Sequence, residues 1–172
     1  MKKIFFLLVL FTALCSAQQK PKDVFDVARS GSVEEMKALI QKSKDTINAL
    51  NSSGYSTLIL ACYRGNAPVA EYLASQVNNI NYNSSNGTAL AAAALKGNVQ
   101  MVKVLLENKA NPDLADGTGM TPLLYAAQFD NKEIITLLLK YKANKALANG
   151  EGKSAMDYAV YNKNREIINL LK

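Results

Sequence analysis

The chain has 172 residues, 49% of them apolar, and carries 20 basic against 14 acidic side chains for a formal charge of +6. It contains no histidine and two cysteines, which excludes Ser-His-Asp triads, Cys-His pairs and imidazole zinc sites. The lysines are spread along the chain and accompany no recognition motif, so the charge supports solubility and no nucleic-acid partner is expected.

The first segment reads differently from the rest. Lys2-Lys3 is followed by an almost wholly apolar run from Ile4 to Leu14, with Ala17 at a plausible cleavage point. This pattern predicts a secretory signal peptide over residues 1–17. The run is shorter than the roughly 20 residues that span a bilayer, so no membrane span is expected. Two other readings stay open: a buried N-terminal helix, and a lipid anchor on Cys15. The large Leu14 counts against the anchor, because such signals put a small residue before the cysteine. A signal peptide makes the protein secreted, and in a Gram-negative cell periplasmic. The remaining 18–172 would carry 18 basic and 14 acidic residues, a charge of +4, and a single cysteine, Cys62. That excludes an intrachain disulfide and suits one monomeric domain.

From residue 21 the chain repeats itself. Ser56, Thr88, Thr121 and Ser154 stand at intervals of 32, 33 and 33 residues. Five residues beyond each begins a small pair: Ala61-Cys62, Ala93-Ala94, Ala126-Ala127 and Ala159-Val160. A fixed period of about 33 residues with two helical patterns per unit signals a stacked repeat architecture. The units run over about 21–50, 51–82, 83–115, 116–148 and 149–172. In the first, Val24, Phe25, Val27 and Ala28 form a short apolar face. Gly31 ends that helix, where positive φ is expected, and Ser32 with Glu35 predicts a capping box. Charged Lys22 and Asp23 suit the outer side of an end unit. In the second, Ser56-Thr57-Leu58 opens the first helix, Gly65-Asn66 breaks the pair, and Pro68 is tolerable in a first turn. The third has a nearly all-alanine first helix from Ala89 to Leu95, then Gly97-Asn98. Asp130-Asn131 and Lys163-Asn164 hold the same break in the fourth and fifth. Asn- and Gly-rich turns at 51–54, 83–87, 116–119 and 149–152 predict hairpins whose Asn and Gly take positive φ. Cys62 falls in a small slot, where a buried apolar role competes with a reactive thiol. Tyr125 and Tyr158 fall in a slot expected to be core.

The fourth unit, Gly119-Met120-Thr121-Pro122-Leu123-Leu124-Tyr125-Ala126-Ala127, followed by Leu138-Leu139 and Ala143-Asn144, resembles the ankyrin repeat. With its leader the chain resembles the small exported bacterial type. The departures are that no unit has the motif's histidine and only the fourth has an intact Thr-Pro. The resemblance implies an all-α solenoid of five helix-turn-helix repeats joined by hairpin-like fingers. It also implies a non-enzymatic protein-docking module: an adaptor, inhibitor or chaperone-like helper with a concave binding face. That face is built from finger residues and the two residues after the Ala-Ala pair. Here those are Tyr63-Arg64, Leu95-Lys96, Gln128-Phe129 and Tyr161-Asn162, joined by Tyr55, Met120 and Lys153 from the fingers. Tyr, Phe, Met and Arg are enriched at interface cores, and aromatic and Arg anchors carry most binding energy. For Tyr63, Leu95 and Tyr161 the competing reading is packing against the next repeat.

Catalysis has little footing. One cysteine cannot build a thiolate metal cage, and no glycine-rich phosphate loop is present. No cofactor and no metal are expected. Two other functions remain open. One is a carrier of a small molecule or cofactor in an aromatic-lined groove, which predicts a closed pocket. The other is a hydrolase with carboxylates from different repeats, for which the finger slots offer only Glu151 and Asp116.

Overall fold

The computed structural model describes residues 21–172, so the signal peptide and lipid-anchor expectations lie outside the described residues. Ten α-helices follow one another in five pairs. They are α1 Val24–Ser30 and α2 Val33–Lys42, α3 Thr57–Arg64 and α4 Ala67–Ala74, α5 Ala89–Leu95 and α6 Val99–Glu107, α7 Pro122–Gln128 and α8 Lys132–Lys140, α9 Ala155–Tyr161 and α10 Arg165–Leu171. A 3-10 turn, Lys44–Asn48, follows the first pair. No named strand occurs among the described residues. The fingers contain only isolated bridges, such as Leu50 with Ser56 and Ala148 with Ser154. The odd-numbered helices pack in sequence as an inner layer and the even-numbered ones as an outer layer. This is the all-α solenoid that the period predicts.

Helices of seven to ten residues are marginal alone, so capping and stacking must hold them. The recurring hydroxyls supply the caps. The side chains of Ser56, Thr88, Thr121 and Ser154 each accept the backbone N–H three residues on. Asp23 and Ser32 form capping boxes with Asp26 and Glu35. Asn98, Asn131 and Asn164 cap the outer helices in the same way. Asn66 instead reaches back one repeat, its Nδ2 donating to the carbonyls of Val27, Ala28 and Gly31.

The core is a stripe of methyl groups. Ala28, Ala61, Ala93, Ala126 and Ala159 occupy one slot in the five inner helices, and all are 0% exposed. Leu73, Met101, Leu105, Ile134, Leu138 and Ile167 fill in from the outer helices. Small residues let the layers approach closely, and interiors at crystal-like density tolerate little added volume. Cys62 is fully buried in the adjacent small slot, and burial pushes its thiol well above the usual range. That is the environment of an inert structural cysteine.

Two expectations about turns need correction. Gly31 has φ of −89°, not a positive value. It is glycine because a Cβ there would lie 2.6 Å from Val27 Cγ1 and 2.8 Å from Glu35 Oε2. In the fingers, positive φ is taken by Gly54, Gly87, Gly119 and Gly152, and not by the asparagines. Asn51, Asp116 and Asn149 act as acceptors instead. Each Oδ1 receives backbone N–H groups two and four residues on, at 2.8–3.1 Å. This mimics a backbone turn with a side chain. Adjacent fingers are then tied together: Gly117 N–H donates to Ser85 O at 3.0 Å, and Gly150 N–H to Thr118 O at 2.8 Å.

Candidate functional site

The face formed by the inner helices and fingers is cut by a cleft of about 510 Å³ between the first and fourth repeats. Its origin lies in three slots of the third repeat. Where the fourth repeat has Met120, Leu124 and Tyr125, the third has Gly87, Ala91 and Ala92. The small residues remove the side chains that would otherwise fill the space. Gly87 has little freedom, since a Cβ there would meet Ala91 Cβ at 3.1 Å and Asp116 Cβ at 3.3 Å.

The floor of the cleft is apolar, formed by Ile59, Leu60, Ala91, Ala92 and Leu95. Tyr55 and Tyr63 stand over it. Tyr63 is 44% exposed, and Lys96 Nζ sits 4.1 Å from the centroid of its ring, a cation–π contact. Tyr55 is half-buried, with its hydroxyl bonded to Asn86 Nδ2 of the next finger. Arg29 and Arg64 lie at the helix end. Asp116 and Tyr125 close the far wall, with Tyr125 O–H donating to Asp116 Oδ2 at 2.5 Å. Burial pushes the Asp116 carboxyl up. Hydrogen bonds from Thr118 and Tyr125 side chains and from Thr118 and Met120 N–H outweigh this and hold it below the usual carboxylate range. Tyr125 moves the opposite way: burial first, then its bond to the carboxylate, push its hydroxyl well above the ordinary tyrosine value.

A second depression, of about 480 Å³, lies at the last repeat among Gln128, Lys153, Asp157, Tyr158, Tyr161 and Asn162. Tyr161 is 84% exposed there and Phe129, which lines neither hollow, is 58% exposed. Lys153 is exposed and pairs with Glu151 at 2.9 Å.

The eleven residues singled out from sequence therefore separate. Tyr55, Tyr63, Arg64 and Leu95 meet in the first cleft, with Lys96 stacked on its edge. Gln128, Lys153, Tyr161 and Asn162 meet in the second hollow. Met120 is a correction: it is only 7% exposed, because Tyr158 O–H and Asn149 Nδ2 lie over its sulfur at 3.6 and 3.8 Å. Asn162 is partly committed to structure, its Nδ2 donating to Ala127 O and Gln128 O at 3.3 and 3.2 Å. Tyr125 and Tyr158 are also corrected. Both are half-buried, with rings against the core and hydroxyls on the finger bases. Arg29, Asn86 and the Tyr125 wall escaped sequence reasoning. The missed signal was the run of small residues at Gly87, Ala91 and Ala92, which is visible only when repeats are compared slot by slot.

A family model described as ankyrin repeats in three copies matches residues 24–116 and 108–172. The chain belongs to the ankyrin-repeat family. Among ankyrin-containing and related proteins, it is 34% identical over 86 residues to mouse "Protein fem-1 homolog A-like", covering 49% of this chain and 13% of that protein. It is 27% identical over 106 residues to rat "Ankyrin repeat and SAM domain-containing protein 6", covering 60% and 12%. Over 102 residues it is 29% identical to Drosophila "E3 ubiquitin-protein ligase Ufd4", covering 59% and 4%. The chain thus spans a small fraction of the relatives it matches. The likeness carries the repeats and not the ligase activity named for the last. Ankyrin repeats serve protein–protein interaction, and no described helix is long and apolar enough to cross a membrane.

Proposed function

We propose that this ankyrin-repeat protein is a non-enzymatic, exported module that holds a protein partner against its finger-and-inner-helix face, as adaptor, inhibitor or helper. The observation that carries the reading is the row Tyr63, Phe129 and Tyr161, large aromatic side chains left 44%, 58% and 84% exposed at the ends of three inner helices. Apolar side chains grouped on one exposed face favour partner contact, and aromatic anchors supply most of the energy in such contacts. Export is supported by Lys2-Lys3 and the apolar run after it.

The test is a pull-down from native envelope extract with the protein and a Tyr63→Ala/Phe129→Ala/Tyr161→Ala variant of matched helicity and melting cooperativity. Loss of a captured protein in the variant supports the docking face, whereas identical capture by both sinks it. A second reading, carriage of a small molecule, draws support from the cleft volume, which falls within the roughly 300–1,000 Å³ of small-molecule sites. It predicts a compound that co-purifies with the protein and is lost when the cleft is filled.

A further inference from the structure

We infer that the cleft between the first and fourth repeats accepts a partner segment that presents a carboxylate side chain beside a bulky apolar one. The carboxylate pairs with Arg64 and the apolar group rests on Ala91, Ala92 and Leu95. This rests on the protein-docking reading above and specifies the chemistry of what docks.

The charges on the cleft wall decide the sign of the guest. Arg64 is exposed and forms no ion pair among the described residues. A guanidinium offers five N–H donors in a fork that matches a carboxylate, and no acceptor. Arg29, nearby, has one partner, Asp26 at 3.2 Å, and Lys96 adds a further cation through its seat on Tyr63. Asp116 is the carboxylate lining the opposite wall, and most of its acceptor capacity is already used. Its Oδ1 takes Thr118 N, Thr118 Oγ1 and Met120 N, and its Oδ2 takes Tyr125 O–H. A carboxylate has about four acceptor positions. With two positions per oxygen, Oδ2 keeps a single acceptor site, which a cationic guest would gain against repulsion from two arginines and Lys96. An anionic guest finds unspent donors.

The floor decides the second element. Ala92 and Leu95 line the floor with methyl groups over the buried Ala91, and none of the three carries a polar side-chain atom. An apolar side chain of the guest completes the packing that the third repeat lacks relative to the fourth. The cleft is partly open to solvent, which suits a chain segment more than an enclosed small molecule.

The experiment uses fluorescein-labelled octapeptides in a Gly/Ser background with a Glu, Gln or Lys two positions before a Phe or a Ser, titrated by fluorescence polarisation. The Glu/Phe peptide is expected to bind at least about ten-fold tighter than the Gln/Phe, Lys/Phe and Glu/Ser peptides. Arg64→Gln, an exposed change that spares the core, removes the preference for Glu over Gln and leaves Gln/Phe binding as it was. Ala92→Tyr weakens every peptide, and Lys145→Gln, remote from the cleft, changes none. Binding that ignores peptide charge, a Glu preference that survives Arg64→Gln, or no binding by any peptide overturns the inference. So does phenylacetate competing as tightly as the peptide binds, which moves the site to the carrier reading. If charge preference is absent while the triple aromatic variant still loses its pulled-down partner, docking stands and this inference alone fails. If both are lost, both fall.

Discussion

The third and fourth repeats share a backbone plan and differ in what they leave open. Both begin with a buried threonine cap, Thr88 or Thr121, and both put a fully buried alanine, Ala93 or Ala126, against the core. The third then carries Gly87, Ala91 and Ala92 on the finger side and opens a cleft. The fourth carries Met120, Leu124 and Tyr125 there and fills it. On each short helix the stacking slot of Ala93 and Ala126 is thus separate from the cleft-facing slot of Ala92 and Tyr125, while the slot of Ala91 and Leu124 is buried in both. Because each repeat touches its neighbours alone in this architecture, cleft-facing slots can change without unsettling the stack.

That separation is broken most directly at a stacking slot. Ala93→Leu and Ala126→Leu should each cost about 1–3 kcal/mol, equally in the two repeats, because a closely packed slot cannot absorb three carbons. Urea unfolding measures this, and a tolerant slot in either repeat would mean the two are not built alike. Next in size is the filled wall. Tyr125→Phe leaves Asp116 without its hydroxyl donor and should cost about 1.5 kcal/mol near neutral pH, as hydrogen bonds to charged groups do.

The same variant gives a pH signature. The folded Asp116 carboxyl lies below the unfolded value of about 4. Its contribution is therefore present above that value and is lost as pH falls through the lower folded one. Tyr125→Phe narrows the gap, so the variant should lose less stability than the parent on acidification from about pH 5 to about pH 2. Parallel acid limbs in thermal melts would refute the role given to Asp116.

A third contrast lies at the break between paired helices. Gly65 and Gly97 take φ of 74° and 68° there, whereas Asp130 and Lys163 take 54° and 57° with side chains in place. Left-handed backbone costs a non-glycine residue about 1 kcal/mol or more. Lys163→Gly should stabilise the last repeat by about 1 kcal/mol, offset partly by added freedom in the unfolded chain. Asp130→Gly should gain less, since Asp130 Oδ1 accepts from Asn164 Nδ2 at 3.3 Å. Hydrogen exchange across α9 and α10 would report the first change, and across α7 and α8 the second. The last change is at the cleft-facing slot. Ala92→Tyr should cost less than either leucine change because the cleft beside this buried residue can take the ring, and a melt showing as large a loss would mean that Ala92 belongs to the stack.

These contrasts also explain what could be read from the chain alone. The period, the hydroxyl caps and the small pairs are set within one repeat, and local rules reach them. Gly31 misled because its need for glycine comes from the approach of Val27 and Glu35, not from its own φ. Met120 misled because Asn149 and Tyr158 of the following repeat cover it. Phe129 and Tyr161 are exposed as the register predicts, because nothing in the described residues packs across those helix ends. The cleft depends on three residues being small at once, and no single position announces that.

The finger ladder also bears on how the protein ages. An asparagine followed by glycine is prone to spontaneous deamidation, since the glycine nitrogen can attack the side-chain carbonyl and close a succinimide ring. The described chain has two such pairs, Asn86-Gly87 and Asn149-Gly150. In the last finger, Gly150 N–H is held by Thr118 O, and Asn149 Oδ1 is pinned by Glu151 and Lys153 N–H, so cyclisation must first undo the ladder. At the cleft rim, Asn86 has an exposed side chain anchored through its Nδ2 to Tyr55, and no described N–H fixes its carbonyl. Gly87 N–H is likewise held, by Ser84 O at 3.0 Å, so the two fingers differ in the side-chain carbonyl, which is pinned at Asn149 and not at Asn86.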